Sequence, residues 1–247
     1  MHWLLLLGAL PLSLAIHPYT YANITLPPFI PQLPDKRYNQ TSDLPFGTIL
    51  THCSVPGTIA LTFDDGPYIY TAQILDTLAQ HGARATFFLN GRNKGRIDQF
   101  PDLVRRTHQE GHQLGSHTWS HPSLPTLSKE DIERQMKTLE NAFSNILGFY
   151  PTYMRAPFLH HSPTVLETMA ELGYHVIGAS VDTKDYAHDD PGTSWRSFEK
   201  FLDGIDAGGN LVLAHDSHWT TVEILVDNML WEIGRRGLSD GEWYLNG

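Results

Sequence analysis

Cysteine is almost missing: Cys53 is the single thiol in 247 residues, so no disulfide can form within them. Either a buried, inert thiol or an intermolecular pairing is left for it. Basic residues are few as well. Seventeen Lys and Arg against 27 Asp and Glu give a net charge of −10, which argues against the basic face that a nucleic-acid surface requires. Long apolar runs are also lacking. The run Leu4-Leu5-Leu6-Leu7-Gly8-Ala9-Leu10 is too short to span a bilayer. With Ser13-Leu14-Ala15 behind it, it reads as a secretory signal peptide over residues 1–15, although its positive n-region is weak. After Trp243 no apolar tail follows, so neither a GPI signal nor a membrane anchor is expected. No internal repeat or low-complexity tract is visible.

What is present points to one secreted domain. Apolar content of 41% supports a sizeable core without staples. Two sequons, Asn23-Ile24-Thr25 and Asn39-Gln40-Thr41, suit an extracellular glycoprotein, free or held at the cell wall. Residues 16–50 carry Pro18, Pro27, Pro28, Pro31, Pro34 and Pro45, and read as an extended leader to a domain over 51–247. From residue 58 the pattern alternates. Strand-like runs lie at 58–64, 85–89, 113–115, 153–155, 176–181 and 211–214. Amphipathic helical stretches lie at about 71–81, 100–110, 129–147, 163–172, 195–206 and 220–236. Strands separated by helices imply βα units with parallel strands, which can close into a barrel whose chemistry sits at the strand ends.

The residues able to do chemistry fall at those ends. The strand over 58–63 runs into Asp64-Asp65-Gly66-Pro67, an abrupt turn bearing two carboxylates. Neighbouring side chains at a strand end point in different directions, so one could hold a metal and the other face water. A solvated turn is the plain alternative. Behind a second strand come His117 and His121, four apart. Joined to one aspartate they make a His₂Asp set suited to Zn²⁺ with an open position. Arg155 ends a third strand and can clamp a carboxylate through both nitrogens. The runs Val181–Tyr186 and Leu211–Asp216 add an aspartate and a histidine. An aspartate behind a histidine fixes its tautomer and raises its pKa.

These five segments, in this order, resemble the NodB-homology polysaccharide deacetylases of carbohydrate esterase family 4. The run Thr62-Phe63-Asp64-Asp65-Gly66-Pro67 is similar in particular to fungal chitin deacetylases. The resemblance covers about residues 55–237 and implies an α/β fold, a distorted (β/α)₇-type barrel. It implies Asp65, His117 and His121 as metal ligands, for Zn²⁺ with Co²⁺ able to substitute. It implies Asp64 as general base, oriented by Arg155, and His215 as general acid, tuned by Asp182. The Phe158 N–H would serve the oxyanion, and Leu213 and Tyr186 would line the acetyl pocket. The implied reaction is hydrolysis of N-acetyl groups on GlcNAc units of chitin or chito-oligosaccharides by a monomer. Peptidoglycan and acetylxylan are alternative substrates, and a non-catalytic carbohydrate-binding barrel is the alternative from another class.

Some positions depart from the family pattern. Tyr186 stands where tryptophan is usual, and Ala156 and Phe158 stand where proline and tyrosine are more frequent. Cys53 lacks the C-terminal cysteine that fungal relatives often pair with it. Trp119, Phe158, Tyr186 and Trp219 could line a sugar groove, and His160, His161 and His218 fall near the expected cleft.

Overall fold

The structure, a computed structural model, describes residues 44–240. The signal peptide, both sequons and most of the Pro-rich leader lie outside the described residues. The first described strand, β1 (Ile49–Leu50), falls inside the segment expected to be leader and pairs with the body of the sheet. Two apolar residues between Gly47 and Thr51 are too short a run for a strand pattern to register.

β2 (Thr58–Asp64) shows why the chain folds as it does. Its odd-numbered residues Ile59, Leu61 and Phe63 join the main apolar cluster, which also takes Ile74, Leu75 and Leu78 of α1 (Thr71–His81). Thr62 and Asp64 therefore face the other way, into the barrel interior. Next come β3 (Thr86–Leu89), α2 (Pro101–Gln109), β4 (Gln113–Ser116) and α3 (Lys129–Leu147). The Ser128 hydroxyl caps α3 by accepting the Asp131 N–H at 3.2 Å, and Gly148 stops it in the left-handed region at φ 83°. β5 (Tyr153–Met154) leads to α4 (Pro163–Leu172), which the Ser162 hydroxyl caps through the Val165 N–H. After β6 (His175–Ile177) and β7 (Val181–Asp182) follow α5 (Trp195–Asp206) and β8 (Leu211–His215). A π-helical turn over Thr221–Leu225 opens α6 (Val226–Arg235), and β9 (Ser239–Asp240) pairs with the start of β2.

All strand pairs are parallel, in the order β1-β6-β5-β4-β3-β2-β8-β7. The strand expected over 176–181 is in fact two. β6 and β7 lie six strand steps apart along the sheet, about 29 Å if it were flat at ~4.8 Å per step. The chain from Ile177 to Val181 can span at most ~14 Å. The sheet must therefore curl until its two ends face each other, and Gly178-Ala179-Ser180 crosses the gap. No pairing between β1 and β7 closes it among the described residues. The result is a curled parallel half-barrel wrapped in helices, an α/β fold in a single domain.

Cys53 sits beside this curl with its thiol donating to the Asn210 carbonyl at 3.2 Å. The Asn210 side chain accepts the Cys53 N–H and donates to its carbonyl, so a side-chain amide ties this segment to the residue that precedes β8. Burial pushes the Cys53 thiol pKa up. No helix among the described residues is long and apolar enough to cross a membrane.

Candidate active site at the strand ends

Parallel register builds the centre of the site. In the β2–β8 pair Asp64 stands opposite His215, the last residue of each strand. Asp64 is 3% exposed. Burial pushes its carboxyl up, and Arg155, His215 and His121 pull against that rise. Arg155, fully buried just past β5, donates from Nη1 to Asp64 Oδ1 at 2.8 Å and to Thr62 Oγ1 at 2.5 Å. The expected two-nitrogen clamp is not what forms. Nη2 goes to the Gly178 carbonyl at 2.6 Å and Nε to the Ile177 carbonyl at 3.3 Å, while the guanidinium lies over Phe88. One oxygen of Asp64 is thereby held and Oδ2 is left for other partners.

Asp65 follows in a left-handed conformation, φ 79°, which swings its carboxylate away from that of Asp64. Asp65 Oδ1 comes to 3.4 Å from His121 Nε2 and 3.9 Å from His117 Nε2. One donor atom from each of the three residues lies within 4.8 Å of the others. The segment that carries the histidines is a tight turn rather than a helix, with Thr118 and His121 both at positive φ. His117 Nδ1–H donates to the Arg155 carbonyl at 2.8 Å, which leaves the Nε2 lone pair aimed at the cluster. Burial lowers the His117 pKa to about 3, so this ring is neutral and able to ligate at neutral pH. Two nitrogens and one carboxylate oxygen in this arrangement fit a divalent cation of the Zn²⁺ type with positions left open.

Asn93 was not anticipated. Its side-chain amide donates to Asp65 Oδ1 at 2.7 Å, and Asn90 beside it donates to the carbonyls of His117 and Thr118. Both sit past β3, in a stretch over 90–97 whose charges are all basic and which has no histidine or carboxylate to single out a ligand.

The wall formed by β8 brings a correction. Asp182 does not reach His215. It accepts the Lys184 N–H at 3.0 Å, closing its own turn, and meets the Tyr186 hydroxyl at 3.5 Å. Lys184 takes the left-handed conformation, φ 51°, and this turns the chain so that Asp185 comes back to the barrel. Asp185, 1% exposed, accepts His215 Nδ1–H at 2.7 Å, the His215 backbone N–H at 2.6 Å and the Thr221 hydroxyl at 2.7 Å. Burial alone would lower the His215 pKa. Asp185 overrides it, with help from Asp64 and Asp65, and raises it to about 9. Asp185 itself is held low, its own burial being outweighed by His215 and those hydrogen bonds.

The remaining expected residues line the same cleft. Phe158, 59% exposed, packs edge-on against His121 at 4.6 Å. It lies in a short turn whose bonds run from Leu159 N–H to the Ala156 carbonyl and from His160 N–H to the Pro157 carbonyl. Those bonds do not use the Phe158 N–H. Leu213 is buried on β8, two residues before His215 and on the same strand face. Tyr186 stands edge-on to His215 at 5.4 Å. His160 bonds the Ser123 hydroxyl, and Trp119 packs against the main apolar cluster.

A parallel half-barrel with a His₂Asp cluster at its strand ends, faced by a carboxylate and a charged histidine, defines a hydrolase-type site. Residues 52–177 match the polysaccharide deacetylase family, and the chain belongs to it. A chitin deacetylase of Arthroderma benhamiae is 51% identical over 196 residues, covering 79% of this chain and 53% of that protein. A probable peptidoglycan-N-acetylglucosamine deacetylase of the same species is 47% identical over 199 residues, covering 80% of this chain and 46% of that protein. The chain thus spans about half the length of these two relatives. The solved structure of the chitin deacetylase from Colletotrichum lindemuthianum matches with a TM-score of 0.77 at 42% identity, over 80% of this chain and 90% of that one.

Proposed function

We propose that this chain is a secreted, metal-dependent deacetylase. It hydrolyses the N-acetyl group of GlcNAc units in chitin or chito-oligosaccharides and releases acetate and glucosamine units. The observation that carries this reading is the opposition of Asp64 and His215 in register across β2 and β8, with the three-ligand cluster beside them.

Asp65, His117 and His121 would hold the ion, with Zn²⁺ the expected occupant and Co²⁺ able to replace it. When bound, the ion supplies a Lewis acid that lowers the pKa of water and polarises the acetyl carbonyl. Asp64, whose carboxyl burial has made more basic, takes a proton from the water that attacks the acetamide carbon. Arg155 holds Oδ1 through this step and leaves Oδ2 on the His117 side of the cleft, 3.7 Å from Nε2. The Phe158 N–H donates to the acetyl oxygen as it gains charge. An amine leaves poorly unless protonated. His215, charged at neutral pH and held through Nδ1 by Asp185, delivers a proton from Nε2 to the departing nitrogen. The C–N bond breaks, acetate forms, and the glucosamine amine keeps the proton. Leu213 and Tyr186 shape the space for the acetyl methyl.

Acetate release from chitin oligomers by chelated and then Zn²⁺-restored protein tests this. Loss and recovery are expected, whereas metal binding without acetate release from any acetylated sugar would leave a carbohydrate-binding barrel. Peptidoglycan is the second reading for substrate, supported by the 47% identical relative named for it. Parallel assays on peptidoglycan fragments separate the two.

A further inference from the structure

Asp185 has a counterpart four residues on. Asp189 accepts His218 Nδ1–H at 2.9 Å, the Thr220 hydroxyl at 2.8 Å and the Thr220 backbone N–H at 3.1 Å. The pattern repeats that of Asp185 on His215 and Thr221: an aspartate after β7 holding one histidine and one threonine at or beyond the end of β8. Burial would raise the Asp189 carboxyl, and the hydrogen bonds from His218 and Thr220 hold it low instead. The rings of His215 and His218 stand edge to face, centroids 5.7 Å apart and planes at 87°. Their side chains are about equally open, 14% and 15% exposed.

Asp189 already fixes the helix start through Thr220, so the loop does not need the imidazole for that. What Asp189 adds is a fixed ring. With Nδ1 bound to Asp189, the ring turns its other nitrogen, Nε2, away from that carboxylate, and among the described residues Nε2 bonds no protein atom and is not sealed from solvent. A fixed ring nitrogen with no protein partner among the described residues, one ring's breadth from His215, suits a ligand rich in hydroxyl groups.

We propose that His218, oriented by Asp189, is a substrate-binding residue. Its Nε2 hydrogen-bonds a hydroxyl of the sugar unit next to the one being deacetylated. The reacting unit must place its nitrogen against His215, and among the described residues His218 touches His215 but none of Asp64, Asp65, His117 and His121, so it meets the neighbouring unit. This inference rests on reading the cleft as a sugar-polymer site.

The test is steady-state acetate release by wild type, His218→Ala and His218→Gln, on the shortest chito-oligosaccharide turned over and on longer ones. Binding of the longest is measured in parallel by calorimetry. KM for the longer oligomers should rise about tenfold in His218→Ala, the worth of one lost hydrogen bond, with kcat within about twofold. His218→Gln, whose amide reaches a similar point, should recover much of the loss. A fall in kcat shared by every substrate, or a shifted basic limb of the pH profile, would place His218 on His215 instead and overturn the inference. Unchanged KM and affinity in His218→Ala would overturn it too. Asp189→Asn is the weaker variant, because it also loosens the helix start. A wild-type chain that neither binds nor hydrolyses any chito-oligosaccharide removes the proposed function along with this inference. One that binds them equally with and without His218 removes the inference alone.

Discussion

Asp64 and His215 are register partners across the parallel β2–β8 pair, each the last residue of its strand. Their carboxylate and imidazole therefore flank one space without any loop having to find its place. The backbone ladder sets their separation, so a one-residue slip in either strand would send one of the two side chains to the helix face.

Asp185, and not Asp182, should govern the basic limb of the pH–rate profile. Asp185→Asn leaves the burial that lowers the His215 pKa and removes the carboxylate that raises it to about 9. The pKa should fall to the ordinary ~6.5 or below, moving the basic limb of kcat/KM down by at least about 2.5 pH units. Asp182→Asn should leave the limb in place. Stability follows the same pair. A raised His215 pKa stabilises the fold fully below about pH 6.5, an advantage lost as pH climbs through about 9. The lowered Asp185 pKa contributes above about 3.9 and is lost on acidification. The melting-temperature gap between wild type and Asp185→Asn should be widest between those limits.

Arg155→Lys should damage stability and rate together. A single ammonium cannot serve Thr62, Asp64 and the carbonyls of Ile177 and Gly178 at once. Breaking such a buried pair costs about 3 kcal/mol. Denaturant titration should show a loss of that order, and kcat should drop about 100-fold through the misplaced base.

Asn93→Ala should weaken metal binding while leaving the fold intact. The lost amide is the donor that orients Asp65 Oδ1. Competition with a chelating dye should show roughly 10- to 100-fold lower affinity.

Gly91→Ala should disturb the histidine turn. A Cβ there would come within 1.9 Å of the Trp119 ring, whose residue lies between His117 and His121. Arg92 N–H bonds the Trp119 carbonyl at 2.6 Å, so the strain passes to the same turn. Changed tryptophan fluorescence and weaker metal binding are expected. Gly234→Ala, on α6 with nothing within 4 Å, is the control and should be neutral or stabilising by up to ~1 kcal/mol.

Where a residue's task was local, the sequence revealed it. Helices over 129–147 and 163–172 were legible to the residue because Ser128 and Ser162 cap them and Gly148 and Gly173 end them. Asp64, Asp65, His117, His121 and His215 announced themselves by chemical type at strand ends. What failed was direction in space. Val176–Val181 looked like one strand because only the small residues Gly178, Ala179 and Ser180 separate Ile177 from Val181, and the curl of the sheet divides it there. Asp182 and Asp185 are equivalent on paper. The choice between them lies in the backbone of Lys184, whose left-handed φ carries no strong signature in a lysine. Asn93 and the Asp189–His218 pair act through partners distant in sequence, which no local pattern encodes.

Arg155 also belongs to the architecture. Its backbone N–H meets the Ser116 carbonyl at the end of β4, its carbonyl meets His117, and its guanidinium reaches β2 and the exit of β6 while covering Phe88 of β3. Because no ladder bonds join the two margins of the curl among the described residues, this side chain acts as a drawstring through the interior. Slackening it would part the strands and release the Asp64 carboxylate in the same motion, so the curl of the barrel and the setting of that carboxylate stand or fall together.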